Sequence, residues 1–279
     1  MDIVNPREAV IALTRLSTDE RFPDGRPHVP DDIVARMALV TTEEAWSVLR
    51  RHGYQDQFEG DWLHTHPDSI LVGRAVTAVF VPKRPDLHDL VEELGRAEGR
   101  IGGQNSWVID TLLPGDVMVV DMFGKVRDGT FVGDNLATSL QRRTQAGAVI
   151  HGSIRDYQGV SQLTEVAIFH RGMHPSAIAD VTLAGINVPV RIGAATVLPG
   201  DIVLGTPTGV IFIPAHLAQA VVERSEEVRV RDQFGKQRLR EARYTPGEID
   251  RAWSELIEAD FQAWRSERDV ALPGSGGEE

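Results

Sequence analysis

Asp134, Arg155 and Asp156 place two hard oxygen donors and one planar cation on either side of a short helix-and-strand unit. Asp134 lies in Gly133-Asp134-Asn135-Leu136-Ala137, and Arg155-Asp156 closes the apolar run that follows. Carboxylates hold a hard divalent cation, and a guanidinium grips a carboxylate in a planar fork. The free amides of a helix start, here Asn135 and Leu136 behind Gly133, attract an anion. An anion site beside a cation site suits a 2-oxo acid chelated to a metal. Each piece also has a plainer reading. Asp134 alone is a common helix cap, and an isolated Arg-Asp pair is a surface ion pair of little energetic consequence. The chemical reading rests on their joint occurrence around one unit.

That unit has to be a turn, a helix and a strand. Leu136, Ala137 and Leu140 give a helical stripe, with Gly147 expected to stop it. Ala148 to Ile154 is a small-and-branched run of strand length. In layered α/β folds a βα turn and a strand end converge on one crevice, where ligands bind.

Composition narrows the classes. Of 279 residues, 42% are apolar and 25% charged, as in ordinary globular chains. A net charge of −12 disfavours a broad phosphate-binding face, so no nucleic-acid partner is expected. Cysteine is absent, which excludes disulfides, zinc-thiolate sites and thiol catalysis. MDIVNPREAV lacks a basic region followed by an apolar run, and no stretch reaches membrane-spanning length. The expectation is a cytoplasmic protein without a membrane partner.

Along the chain, residues 1–60 read as a helical N-terminal extension, with Gly53 as a helix terminator. From Ile70 the texture changes to strands: 70–82, 117–122, 148–154, 166–172, 188–193, 201–206 and 209–214. Helices alternate with only some of these, which favours a mixed α/β sheet. Leu-Pro-Gly-Asp occurs twice, ending in Asp116 and Asp201, each time before an apolar strand. This is turn chemistry, and both aspartates are expected in turns outside any site. Beyond the core, 216–231 and 244–272 read as two helices, with Trp253, Leu256, Ile257 and Phe261 on one side of the second. That side could pack on a neighbouring subunit or on its own chain. The closing PGSGGEE reads as a disordered tail.

From about Ile70 to Pro214 the chain resembles the 4-hydroxy-4-methyl-2-oxoglutarate aldolase / RNase E activity regulator A (RraA-like) family. The resemblance is carried by VGRAVTA (72–78), LPGDVMVVD (113–121), GDNLA (133–137), HGSIRD (151–156) and PGDIVLGTPTGVIFIP (199–214). It implies an α/β fold, a layered β/β/α swivelling-domain core over 61–225. Residues 1–60 and 226–279 then form helical terminal extensions of a longer branch. It further implies homotrimers or homohexamers with active sites between subunits, and a Mg²⁺- or Mn²⁺-dependent pyruvate aldolase that also decarboxylates oxaloacetate.

Carried over by residue, the resemblance makes Asp156 the metal ligand and Arg155 the group that binds the substrate carboxylate and keto oxygen. The amides of Asn135 and Leu136, at the Gly133 turn, would hold the carboxylate, and Asp134 would orient a water on the metal. Glu226, Glu227 and Asp232 are alternatives for a carboxylate supplied by the adjacent subunit. The chain departs from the pattern at Gly205-Thr206-Pro207-Thr208-Gly209, where an acidic turn is usual.

Other chemistries compete. A Schiff base needs a desolvated lysine, and Lys83, Lys125 and Lys236 all lie in contexts that read as loops. His64 with His66, and His170 with His174, have ligand-like spacing but no surrounding metalloprotease pattern; His151 reads as a packed strand residue. A protein-binding regulator of a ribonuclease is the alternative of a different class. That branch is expected to lack the aspartate after the arginine, which this chain keeps. A sugar-acid dehydratase or lyase using the same chelate is a third reading.

Overall fold

The computed structural model describes residues 2–18 and 20–268. The N-terminal segment forms α1 (Arg7–Leu13), α2 (Asp31–Met37) and α3 (Thr42–Arg51), then the short strands β1 (Phe58–Glu59) and β2 (Leu63–His64). Thr41 and Glu44 close a capping box at the start of α3, and Gly53, at φ +87°, turns the chain after it. The long branched run becomes β3 (Leu71–Pro82), followed by α4 (Pro85–Ala97) and α5 (Gln104–Asp110). Next come β4 (Asp116–Asp121), β5 (Thr130–Val132), α6 (Asp134–Thr144), β6 (Gly147–Ile154), α7 (Tyr157–Val160) and β7 (Ala167–Met173). The core ends with β8 (Val181–Ile186), β9 (Val190–Ile192), β10 (Ala195–Val197), β11 (Ile202–Thr206) and β12 (Gly209–Ile213). Helices α8 (Ala218–Arg240), α9 (Pro246–Ile249) and α10 (Glu255–Glu267) follow.

Among the described residues, ten strands share one sheet. Its path is β1-β12-β11-β3-β4-β6-β7-β2, with β5 on β6 and β8 on β3. The centre, β3-β4-β6-β7, is parallel, and the flanks are antiparallel. Central strands covered on both faces read as continuous apolar runs, which is why these were visible in the sequence. On one face Val91, Trp107, Leu140 and Val160 of α4–α7 pack against Val76, Met118, Val120 and Ile150. On the other, the β9–β10 hairpin lays Val190, Ile192 and Val197 over Ala75, Val117 and Val149. The result is the expected β/β/α layering. Helices α2, α3 and α8 cover the antiparallel flank at Ile202, Leu204, Ile211 and Ile213. No described helix is long and apolar enough to cross a membrane.

The two Leu-Pro-Gly-Asp segments fold alike. In each, the aspartate amide donates to the leucine carbonyl at 3.1 Å, and the leucine amide donates back to the aspartate carboxylate at 2.8 Å. Gly115 and Gly200 supply the positive φ of the third turn position (+78° and +88°). Asp116 does more than close its turn. Its carboxylate receives both Nη groups of Arg26, at 2.7 and 3.1 Å, and neither residue is exposed to solvent. Arg26 Nε reaches Asp24 at 2.7 Å, and its guanidinium lies 4.8 Å from the Phe22 ring centre. The N-terminal extension is thereby bolted to the start of β4.

Several sequence readings change. Gly147 does not end α6: the terminator is Gln145, left-handed at φ +50°. Gly147 instead begins β6, where any side chain would strike the Ala167 carbonyl. The reading of 244–272 as one helix fails at Ser254, whose hydroxyl caps α10 and separates it from α9. Ile257, Phe261 and Trp264 pack on Val230 and Phe234 of α8, within the same chain, while Leu256 is exposed. A boundary between 225 and 226 falls inside α8. The expected PGSGGEE tail lies outside the described residues.

Two outcomes follow. Removing one partner of the Arg26–Asp116 pair strands a buried charge, so Asp116→Ala should cost about 3–5 kcal/mol in denaturant unfolding; a loss below 1 kcal/mol would show that the pair is not an anchor. Asp201 is buried with no cationic partner among the described residues, and burial pushes its carboxyl up to about 7 against the pull of the Leu198 and Ala215 amides. The folded state therefore holds this proton when the unfolded chain, near 3.8, has lost it. Stability should fall as pH rises from about 4 to about 7, by at most about 1.4 kcal/mol per unit. Asp201→Asn should flatten that decline, and parallel pH profiles for the two proteins would refute it.

Candidate active site

Backbone pairing brings the turn and the Arg-Asp pair together. The Arg155 amide donates to the Val132 carbonyl at 3.0 Å, closing β5 against the end of β6. Helix α6 starts two residues later, so its first turn stands beside Arg155. Gly133 is the contact point. A Cβ there would lie 2.9 Å from Arg155 Nε and 3.2 Å from Arg155 Cγ, and would collide with Asp156 Oδ2. Behind Asp134, Gly159 plays the same part: a Cβ would lie 2.9 Å from Asp134 Cβ. Asp134, Arg155 and Asp156 are thus gathered around one turn by two bare Cα positions.

The backbone of Asp156 is left-handed, at φ +53°, and its carbonyl receives the Gly159 and Val160 amides that start α7. Aspartate tolerates this region better than most residues, and such conformations concentrate where function requires them. Arg155 Nε lies 3.2 Å from Asp156 Oδ2, with both side chains nearly half exposed (41% and 46%). The Arg155 Nη groups have no acceptor among the described residues, which leaves that edge of the fork for a ligand. A cleft of about 100 Å³ is bounded by the Gly133–Leu136 turn, Arg155, Asn105, Thr130, Ala177 and Ile178. Asp156 does not itself line this cleft; it touches Gly133 and Arg155, which do.

The first-turn amides of α6 have no acceptor inside the helix. Asn135 N–H donates to Asp134 Oδ1 at 2.8 Å, so the aspartate occupies part of the place where an incoming anion would sit. A substrate carboxylate would take the Leu136 amide and share or replace that bond. Two exposed carboxylates fit a hard cation such as Mg²⁺, which binds through one or two protein carboxylates and keeps its other positions for water and substrate oxygens. Among the described residues, no group of three or more histidine and acidic side chains is arranged to hold a metal.

The competing groups go elsewhere. His64 stacks on Phe169 at 5.2 Å, and His66 and His174 bond to Thr65 and Ser176 at 2.9 Å. Burial, with His64 nearby, pushes His170 down to about 4, so it is neutral at pH 7. His151 is half-buried and lies 3.3 Å from Asp121. Lys125 donates to the Ala179 carbonyl, and Lys236 is on α8 opposite Asp232, not in a loop as its sequence context suggested. Glu226 is held by Arg36 at 2.6 and 2.8 Å, and Glu227 lies against Arg224. Asp201 and His216 border a separate concavity of about 340 Å³ under the end of α1, and a third of about 370 Å³ lies near Val34 and Glu165. Size favours these, but neither places a guanidinium beside two aspartates. Asn105, Thr130, Ala177, Ile178 and Gly159 were not foreseen. Only Gly159, a glycine three residues past Asp156, carried any sequence signal.

Comparison with known proteins gives a consistent picture. The family model described as RraA-like, Aldolase/RraA, matches residues 40–212. A protein of Halalkalibacterium halodurans named "Putative 4-hydroxy-4-methyl-2-oxoglutarate aldolase" is 31% identical over 120 residues, covering 43% of this chain. The chain spans only 56% of that relative's length. A protein of the same name from Stutzerimonas stutzeri is 33% identical over 158 residues, covering 51% of this chain and 96% of the relative. The crystal structure of Streptomyces coelicolor RraAS2, described as an unusual member of the RNase ES inhibitor RraA protein family, superposes with a TM-score of 0.64. It is 25% identical and covers 76% of this chain and all of its own.

Gly133→Ala should leave the fold intact by far-UV circular dichroism while displacing the Arg155–Asp156 pair. A shift of the Arg155 Nε–Hε resonance in a ¹⁵N spectrum is the expected result. An unmoved resonance would show that Gly133 does not hold the pair in place.

Proposed function

From a chain that belongs to the RraA-like (Aldolase/RraA) family, with Asp134, Arg155 and Asp156 around one turn, we propose a divalent-metal-dependent carbon–carbon lyase. It cleaves a 4-hydroxy-2-oxo acid to pyruvate and a second carbonyl fragment, and decarboxylates oxaloacetate through the same enolate. The observation that carries the reading is the joint contact of Arg155 and Asp156 with the bare Cα of Gly133, which sets a cation binder and an anion binder side by side. The names of the aldolase relatives support the same reaction class.

Asp156, with Asp134 nearby, would hold Mg²⁺ or Mn²⁺, and the bound ion would supply Lewis acidity to the chelated 2-oxo acid. The Arg155 fork binds the substrate carboxylate and keto oxygen, setting a fixed positive charge beside the oxygen that becomes an enolate. The Leu136 amide and the positive end of α6 hold the carboxylate's other oxygen. Asp134 directs removal of the C4 hydroxyl proton through a water. As that proton leaves, C4 becomes a carbonyl, the C3–C4 bond breaks, and its electron pair passes to the enolate. Protonation at C3 then releases pyruvate.

A carboxylate from a neighbouring copy is part of the proposal, as is assembly into trimers or hexamers. Glu227 and Asp232 sit on the exposed side of α8, paired with Arg224 and Lys236. Glu226 is the weaker choice, because its bond to Arg36 would have to break.

Purified protein should release pyruvate from oxaloacetate only with Mg²⁺ or Mn²⁺, and chelator should abolish it. Asp156→Ala should remove activity. Arg155→Ala should raise KM and lower kcat about 100- to 1,000-fold, since the fork acts in both ground and transition states. Full activity without metal, or in Arg155→Ala, contradicts the assignment. No turnover of any 2-oxo acid would favour a binding role like that named for the Streptomyces coelicolor structure.

A further inference from the structure

The two Leu-Pro-Gly-Asp turns enter the sheet at the same end, on either side of β3. Asp116, which begins β4, and Ile202, which follows Asp201, are both register partners of Arg74. In each turn the leucine amide donates to Oδ2 of the aspartate at 2.8 Å, so the two carboxylates are held alike. Their surroundings differ. The Asp116 carboxylate is sealed by the Arg26 fork, which reaches Oδ1 at 2.7 Å and Oδ2 at 3.1 Å. Asp201 is nearly as deep, at 4% exposure, yet no cationic side chain pairs with it among the described residues. It borders the concavity of about 340 Å³ instead.

The rest of that concavity suits a short organic cation. Leu13 and Leu16 of the N-terminal extension, with Leu198 and Pro214 of the core, supply apolar surface. Gln57 is committed to the Thr196 and Phe212 carbonyls, both at 3.1 Å, and the Tyr54 hydroxyl meets His216 at 3.4 Å. Arg21, which holds the Thr14 hydroxyl at 2.8 Å, is spent on that residue and on the Ser17 and Gly25 carbonyls. Arg15 also lines the space, but it is exposed and forms no ion pair with Asp201. A carboxylate buried without a cation is costly, and burial pushes this carboxyl up to about 7. A guanidinium matches a carboxylate in a planar fork, as the Arg26–Asp116 pair displays one strand away. The volume lies at the lower end of the ~300–1,000 Å³ typical of small-molecule sites.

We propose that this concavity binds a small alkylguanidinium, whose planar head takes the place at Asp201 that Arg26 holds at Asp116 and whose tail lies on Leu13, Leu16, Leu198 and Pro214. The N-terminal extension supplies Leu13 to Ser17, so the site is complete only when that arm is docked. It is separate from the proposed active site. Asp116 begins β4, whereas Arg155 follows the end of β6, which runs parallel to β4, so the two sites lie at opposite ends of the sheet. Nothing in the proposal depends on the lyase reading.

Calorimetry on the full chain at pH 8, where the Asp201 carboxyl is ionised, compares butylguanidinium with its neutral counterpart butylurea. One butylguanidinium should bind per chain with a dissociation constant of about 1 mM or tighter, and butylurea at least about 30-fold more weakly. Asp201→Asn keeps an acceptor for the Leu198 amide and should weaken butylguanidinium by a similar factor, with the fold checked by circular dichroism. Thr196→Trp, at an exposed position of the wall, narrows the space without altering the carboxylate and should also block binding; it decides the matter if the first variant does not fold. Failure of butylguanidinium to bind, equal binding of butylurea, or undiminished binding in either folded variant overturns the proposal.

Discussion

Arg155 and Asp156 can stand against the start of α6 only because position 133 carries no side chain. The backbone supplies the rest of the arrangement. Pairing of β5 with β6 sets the height of Arg155, and the left-handed Asp156 turns the chain immediately after it, so α7 brings Gly159 under Asp134. None of these contacts is strong alone; an ion pair this exposed contributes little to stability. Its value is in position, with a guanidinium edge and two carboxylates converging where a helix presents unsatisfied amides.

The framework that holds this turn is stiff. Four parallel strands covered on both faces form the centre, and the β9–β10 hairpin seals the side away from the helices. The N-terminal extension joins that framework through a fully buried Arg26–Asp116 pair at the start of β4, and α2 and α3 share a core with α8. The terminal segments therefore belong to the folding unit. A buried ion pair is a poor source of net stability but strongly penalises any misplacement of either partner, which suits an element that fixes how a long arm docks.

Much of this was legible in the residues. The doubly buried strands showed as unbroken branched runs, and the Leu-Pro-Gly-Asp turns declared themselves through proline and glycine in fixed order. The Gly-Asp-Asn turn and the Arg-Asp pair were readable because helix start and strand end have local signatures. The misses have physical causes. Strands β5 and β10 have only three residues each, and β8 pairs with β3, which is distant in the sequence. Gln145 ends α6 in a conformation usually given to glycine, which drew attention to Gly147 instead. The β7–β8 connection bearing Ala177 and Ile178 reaches the cleft through bonds to Asp128, Lys125 and Ile154, and no local pattern encodes such contacts.

The central claim is that one cation and one 2-oxo acid share the turn at Gly133. A crystal of the protein grown with Mn²⁺ and oxalate, a rigid mimic of the pyruvate enolate, tests it most directly through the anomalous signal of the metal. The account predicts manganese on the Asp156 carboxylate, with oxalate bridging it to the Arg155 fork and the Leu136 amide. Manganese bound elsewhere, or oxalate lodged away from Arg155, would contradict it.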